Sequence, residues 1–150
     1  MTQVRVLDLP VDRLDGEVVA AFFFLDERPL QGPAALIDWR LDEVLTRLLV
    51  GGRCVGKAGE HLLVRNNGKL GSDWALFVGG GSWHGLGPVT YRSLVAHLLD
   101  ACRRAGFRRV ALCLAPLAGM GPAELEGLVR ESLASMTGHS LECLLSLETL

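Results

Sequence analysis

The sequence predicts a three-layer α/β fold in which one mixed, mostly parallel sheet carries helices on both faces. Helix-like and strand-like segments alternate through the second half of the chain, and such connections form right-handed crossovers between parallel strands. In the middle of the chain, Asn66-Asn67-Gly68 separates two short strand-like segments, as a turn in an antiparallel hairpin does. No repeat, low-complexity tract or linker interrupts this pattern, so residues 1–150 are expected to form a single domain.

The first half of the chain begins with two predicted strands. Residues 4–9 alternate between apolar and polar side chains, and residues 17–25 are almost continuously apolar, as expected for a strand buried on both faces. Proline and glycine then mark residues 26–33 as a loop. A helix is expected from Asp38, as its N-cap, to Val50, because apolar residues between them recur at helical spacing.

The rest of the chain predicts shorter strands and two further helices. Strands are expected over residues 53–55, 61–65 and 74–78, a helix over 90–105, a strand over 108–114, a helix over 122–136 and a final strand over 141–147. Thr90 is the expected N-cap of the first of these helices and Gly106 its stop, whereas Pro122 suits the first turn of the second.

Composition and charge limit the possible functions. The chain has 150 residues, of which 49% are apolar and 21% charged, as in one ordinary globular domain. Its 15 basic and 17 acidic residues give a net charge of −2, which argues against a nucleic-acid partner. The longest apolar run, residues 18–25, is too short to span a membrane, and the start does not have the pattern of a signal peptide. We therefore expect a cytoplasmic protein without a membrane partner.

Cysteine and histidine spacing predicts neither disulfides nor a metal site. The chain has four cysteines, which are Cys54, Cys102, Cys113 and Cys143. They form no C-x-x-C pair, and three of them lie in apolar runs, where cysteines are expected to pack in the core as small apolar side chains. The histidines form no H-E-x-x-H or comparable set; they are His61, His84, His97 and His139. No metal and no cofactor is predicted.

One segment nearly matches the phosphate-binding loop G-x-x-x-x-G-K-[ST], namely residues 51–58 with the sequence GGRCVGKA. Ala58 lacks the hydroxyl that would coordinate magnesium. A helix is predicted before the segment and a strand after it, which is the reverse of the order that aims amides and a helix dipole at a phosphate. A helix end that continues into a turn is therefore the preferred interpretation.

The glycine-rich segment 79–87 is the main candidate for ligand binding. It is expected between a strand and a helix, and open α/β sheets bind ligands at such carboxyl ends of strands. The candidate residues are Gly79, Gly80, Gly81, Ser82, Trp83 and His84. Glycine amides can approach an anion closely, and the Trp83 and His84 rings can stack on a base or a sugar. His84 stands where both G-x-G-x-x-G and G-x-S-x-G need a glycine, so a flexible surface loop or a loop packed on a partner subunit is the alternative.

Residues 26–41, with the sequence DERPLQGPAALIDWRL, resemble the amino-terminal domain of the leucine aminopeptidase family. In that family an acidic turn, an R-P-L-x-G segment and an I-D-W-R-L helix start follow a buried strand, whose place Phe22-Phe23-Phe24 takes here. Residues 54–60, CVGKAGE, are similar to the family's next turn, and residues 74–81, WALFVGGG, to its strand followed by G-x-G. The resemblance covers residues 15–115 well and the rest loosely.

The resemblance implies a macro-like fold without catalytic residues. Catalysis in that family belongs to a separate carboxyl-terminal domain with two metal ions and an N-T-D-A-E-G-R segment, which has no counterpart here, so the chain is not expected to be a peptidase. The first predicted function is interaction, assembly or regulation, by self-association or by docking on a full-length or split aminopeptidase through Trp39 or Trp83. The second is a binding module for ADP-ribose or a nucleotide-like ligand at residues 79–87. The third is a subunit of a split metallo-aminopeptidase.

Overall fold

The computed structural model describes residues 3–116, 119–136 and 141–147. The strands in this part of the chain are β1 (Gln3–Val6), β2 (Val18–Phe23), β3 (His61–Arg65), β4 (Trp74–Gly79), β5 (Arg109–Leu114) and β6 (Glu142–Leu147). Its helices are α1 (Gly32–Arg40), α2 (Val44–Val50), α3 (Pro88–Arg104) and α4 (Pro122–Ala134), and a short 3-10 turn lies at Val11–Arg13.

These strands form one sheet in the order β1-β6-β5-β2-β4-β3. Each neighbouring pair is parallel except β3 and β4, which form an antiparallel hairpin. The hairpin loop is wider than a two-residue turn, because the Asn66 amide donates to the Asp73 carbonyl at 2.9 Å. The Asn66 side chain closes this loop by accepting the amides of Gly68 and Leu70, both at 3.0 Å. The predicted mixed, mostly parallel sheet and its hairpin are confirmed.

Successive residues of each central strand face opposite layers of the core. On β2, Ala20 and Phe22 pack with α3 and α4, whereas Ala21 and Phe23 pack with α1 and α2. Every residue of β2 is buried, since helices cover both faces of the sheet. This double burial explains the nearly continuous apolar sequence of residues 17–25, and it confirms the predicted three layers.

The single helix predicted from Asp38 to Val50 is wrong, because the chain breaks between α1 and α2. Asp42 and the residue after it adopt left-handed backbone, with φ of 58° and 61°, which interrupts a regular helix. Asp38 lies inside α1, and its carboxylate accepts the amides of Leu45 at 2.7 Å and Thr46 at 3.3 Å. Asp38 therefore caps a helix, but the cap acts across the break on the first turn of α2.

Three smaller predictions are also wrong. Residues 53–55 form no strand, because the amide at the end of this segment bonds to the side chain of Glu60 and folds it into a turn. Thr90 does not cap α3, which begins at Pro88, a residue whose fixed φ and missing amide suit a first helical position. The first strand ends at Val6, before the end of the alternating segment.

The cysteines of the apolar runs lie in the core, as the sequence predicts. None of the four cysteines forms a disulfide, and Cys102, Cys113 and Cys143 are buried. Burial raises the pKa of the Cys102 and Cys143 thiols to about 12, so both stay protonated at neutral pH. Within the described part of the chain, none of the helices combines the length and the apolar character that a membrane span requires. His139 lies outside the described residues.

Candidate ligand-binding site

The sheet has a topological switch point between β2 and β5. These strands are parallel neighbours, with Val18 beside Val110 and Ala20 beside Leu112. After β2 the chain enters α1 on one face of the sheet, and after β5 it enters α4 on the opposite face. Connections that diverge in this way open a crevice at the carboxyl ends of the strands, where open α/β sheets bind ligands.

A cavity of about 230 Å³ with an aromatic wall occupies this crevice. Phe22 lies at the end of β2 and Phe24 directly after it, whereas Trp83 comes from the glycine-rich loop and Tyr91 from α3. The Trp83 ring meets Phe24 edge-on at 5.1 Å between centroids, and Phe22 lies 6.1 Å from Tyr91. The Tyr91 hydroxyl donates to the Ala115 carbonyl at 3.2 Å, which ties α3 to the end of β5. Such a wall suits a flat ring or the apolar face of a sugar.

A second cavity, of about 270 Å³, shares a wall with the first. Gly32, Pro33 and Cys113 line both cavities, so the start of α1 stands between them. The side chain of Gln31, the N-cap residue of α1, makes no capping hydrogen bond, and the positive end of a helix dipole there attracts an anion. Glu27 lines the first cavity and Asp8 the second. We call the two cavities and their shared wall the switch-point groove.

The first glycines of the candidate loop are needed for packing. A Cβ on Gly79 would lie 2.0 Å from the Lys57 carbonyl oxygen, and a Cβ on Gly80 would lie 2.3 Å from the Phe24 ring. Gly81 adopts a φ of 78°, which side chains disfavour. These three residues therefore let the loop pass close over the end of β2.

Asp26 holds the rest of the candidate loop. Its carboxylate accepts the Trp83 amide at 2.8 Å, the His84 amide at 3.0 Å and the Ser82 hydroxyl at 3.1 Å. The amides of His84 and Trp83 lower the pKa of the Asp26 carboxyl to about 2. Both amides are thus bonded within the chain, and the loop presents the Trp83 ring. Of the six predicted residues, all in the described part of the chain, Trp83 is the one that lines the groove; their role in binding stays a prediction.

In the near match to a phosphate-binding loop, backbone amides are likewise bonded to a carboxylate of the chain itself. One carboxylate oxygen of Glu60 accepts the amides of Val55 at 3.1 Å, Gly56 at 2.7 Å and Lys57 at 2.8 Å. Burial acts in the opposite direction, yet these amides hold the pKa of the Glu60 carboxyl below its usual value. Because α2 precedes this segment and β3 follows it, the structure shows a turn stabilised by an internal carboxylate, as the preferred interpretation expects.

Most of the groove leaves no local trace in the sequence. The local spacing of apolar residues assigns Phe22 and Phe24 to a buried strand and Tyr91 to a helix. It does not indicate that this strand and this helix are in contact. The usable signal is that aromatic residues stand at the end of β2. That signal identifies a site only when β2 and β5 are known to be neighbours.

The sheet order and the switch-point groove define a macrodomain-like α/β domain. A Trypanosoma brucei macrodomain in complex with ADP-ribose is similar, with a TM-score of 0.72 and 18% identity over 97% of this chain and 63% of that one. The macrodomain of Mycobacterium tuberculosis DarG is similar with a TM-score of 0.69 and 14% identity over 99% of each chain. At these identities the likeness shows the fold.

The chain belongs to the cytosol aminopeptidase family, in which it corresponds to the N-terminal domain, because the model of that domain matches residues 18–135. A mutant of tomato leucine aminopeptidase has a TM-score of 0.71 and 20% identity over 99% of this chain. This chain spans 32% of that aminopeptidase chain. No curated protein matches it in sequence. The resemblance carried by residues 26–41 is therefore confirmed, together with the macro-like fold.

Proposed function

We propose that the domain binds an elongated, nucleotide-sized ligand in the switch-point groove. The observation that carries this proposal is that two cavities share the start of α1 as a wall. Their volumes, about 230 and 270 Å³, are each below the roughly 300 Å³ at which ligand pockets usually begin. A ligand of nucleotide size therefore needs both compartments and must pass the start of α1.

The chemistry of the groove matches three parts of such a ligand. The rings of Phe24 and Trp83 offer surfaces for a base or a sugar. The start of α1 favours an anionic linker such as a diphosphate, and the Asp8 carboxylate can accept a hydrogen bond from an amino or hydroxyl group. ADP-ribose combines these parts, and one structure similar to this chain is a macrodomain in complex with ADP-ribose. An ADP-ribose-like nucleotide is thus the ligand class that the groove favours.

Titration calorimetry with ADP-ribose tests this proposal. Stacking on an aromatic side chain contributes about 1–3 kcal/mol, so Trp83→Ala should weaken binding roughly 5- to 150-fold. Asp8→Ala should weaken binding from the other compartment. Trp39→Ala, which changes a tryptophan outside the groove, is the matched control and should leave the affinity unchanged. Absence of saturable binding by the unsubstituted chain at about 1 mM ADP-ribose would contradict the proposal.

Trp39 supports a second proposed function, which is protein docking. Its side chain is 62% exposed, and the Arg40 guanidinium lies 4.8 Å from the centre of its ring. Tryptophan and arginine are enriched among the residues that dominate protein interfaces. Trp83, by contrast, is part of the groove wall. Light scattering tests self-association, and pull-down tests binding to a full-length or split aminopeptidase. A chain that is monomeric and captures no aminopeptidase, with the same result for Trp39→Ala, would count against this function.

Neither proposed function includes peptide hydrolysis. The matched family segment is the N-terminal domain, and the family resemblance assigns catalysis to another domain. Incubation of the chain with leucyl substrates and Mn²⁺ or Zn²⁺ should produce no turnover. Turnover that copurifies with the chain at constant specific activity would contradict this expectation. The cytoplasmic location also stays a prediction, which fractionation of cells can test.

A further inference from the structure

Two histidines from different elements meet outside the switch-point groove. His61 is the first residue of β3, which is an edge strand, and His97 lies midway along α3. Their Nε2 atoms are 2.9 Å apart, whereas the ring centroids are 5.0 Å apart, so the two nitrogens face each other. His61 is exposed and His97 is partly exposed, which leaves the pair open to solvent.

We propose that His61 and His97 form a binding site for a divalent transition-metal ion of the Zn²⁺ class. Two imidazole nitrogens bound to one ion at about 2.0–2.1 Å, with roughly 90–110° between the bonds, lie about 2.9–3.4 Å apart. The observed separation of 2.9 Å falls within this range. In the structure the two nitrogens point at each other, so both rings must turn until their lone pairs converge on one ion.

The positive charge near the pair is partly compensated. Arg104 lies close enough to His61 to repel a bound cation, but it is paired with Asp100 at 3.2 Å. Asp100 lies one turn along α3 from His97 and also binds Arg103 at 2.6 Å. The carboxylate thus offsets part of the positive charge near the site.

The donor set determines which ions fit. Imidazole nitrogen suits Zn²⁺, Cu²⁺ and Ni²⁺, whereas Mg²⁺ and Ca²⁺ prefer oxygen. Within the described residues, no group of three or more His, Cys, Asp or Glu side chains could hold a metal ion, so water or a small ligand would complete the coordination. Because the two ligands join β3 to α3, metal binding must also stabilise the folded chain by mass action.

Calorimetric titration with Zn²⁺ alone, combined with thermal unfolding, tests the site. We expect one ion per chain and a higher unfolding temperature with Zn²⁺. His61→Gln and His97→Gln should each raise Kd at least about tenfold, and the double variant should be no weaker than either single variant, because a chelate needs both rings. His84→Gln, which changes an exposed histidine elsewhere, is the matched control.

Circular dichroism of each variant without metal checks that it folds. The proposal is overturned if the unsubstituted chain does not bind Zn²⁺ at one ion per chain. It is equally overturned if folded His61→Gln and His97→Gln variants keep the parent affinity. The result does not depend on ADP-ribose binding, since the two sites share no residue.

Discussion

Replacing Asp38 with alanine removes the cap that joins α1 to α2. Asp38 is 2% exposed, and its carboxylate accepts the Leu45 amide at 2.7 Å, the Thr46 amide at 3.3 Å and the Thr46 hydroxyl at 2.6 Å. Loss of a helix cap costs about 0.5–2 kcal/mol, and a buried donor left without an acceptor costs about 1–3 kcal/mol. These costs overlap, because the same amides are involved. We therefore expect a loss of about 2–3 kcal/mol in the free energy of unfolding.

Chemical and thermal unfolding, followed by circular dichroism, measure this loss. For a chain of 150 residues, 1 kcal/mol corresponds to roughly 2–4 °C in Tm, so Asp38→Ala should lower Tm by about 4–12 °C. Asp38→Asn keeps one acceptor oxygen and should lose less. Lys69→Ala, which breaks an exposed ion pair with Asp42, is the control and should change stability by less than about 1 kcal/mol. Equal stability of Asp38→Ala and Lys69→Ala would refute the capping argument.

Two further predictions concern the candidate loop. Gly79→Ala should lower the free energy of unfolding, measured by urea denaturation, by about 1–3 kcal/mol, because the new Cβ meets the Lys57 backbone. Gly85→Ala is the control and should be nearly neutral, because a Cβ has room at that position. Equal effects of the two substitutions would contradict this prediction. The pKa of Asp26 falls from 3.8 to about 2 on folding, so its stabilising contribution is complete above about pH 4 and is lost as the pH falls towards 2. The NMR signal of the Trp83 indole N–H should therefore shift in that interval, and the same shift in Asp26→Asn would disprove the assignment.

The sheet could be predicted from the sequence because burial on both faces leaves a local trace. Residues 17–25 are almost continuously apolar for that reason, and Asn66-Asn67-Gly68 marks the hairpin. The break between α1 and α2 leaves no such trace, because the apolar stripe from Leu41 to Leu49 continues through it. The break is associated with Asp38, whose carboxylate accepts hydrogen bonds from α2. These bonds arise from the arrangement of the two helices in space, which the helix propensities of single residues do not describe.

The candidate site could be located only to one edge of the sheet. A strand followed by glycines and a helix directs attention to the carboxyl end of β4, and Trp83 from that segment lines the groove. From the sequence, the loop amides are expected to be available to an anion. In the structure two of them donate to the Asp26 carboxylate, which is 57 and 58 residues away in the sequence. Asp8 and Tyr91 join the site through strand order and helix packing, which no local pattern specifies.

Titration of the ¹⁵N-labelled chain with ADP-ribose, followed by amide NMR spectra, shows directly whether the switch-point groove binds this ligand. If the ligand lies in the switch-point groove, the amides of Gly32 and Cys113 and the indole N–H of Trp83 should shift together with one Kd. The amide of Gly68, in the β3–β4 hairpin, should stay in place. Absence of shifts at saturating ligand, or shifts centred on the hairpin and not on the start of α1, would contradict binding in the groove.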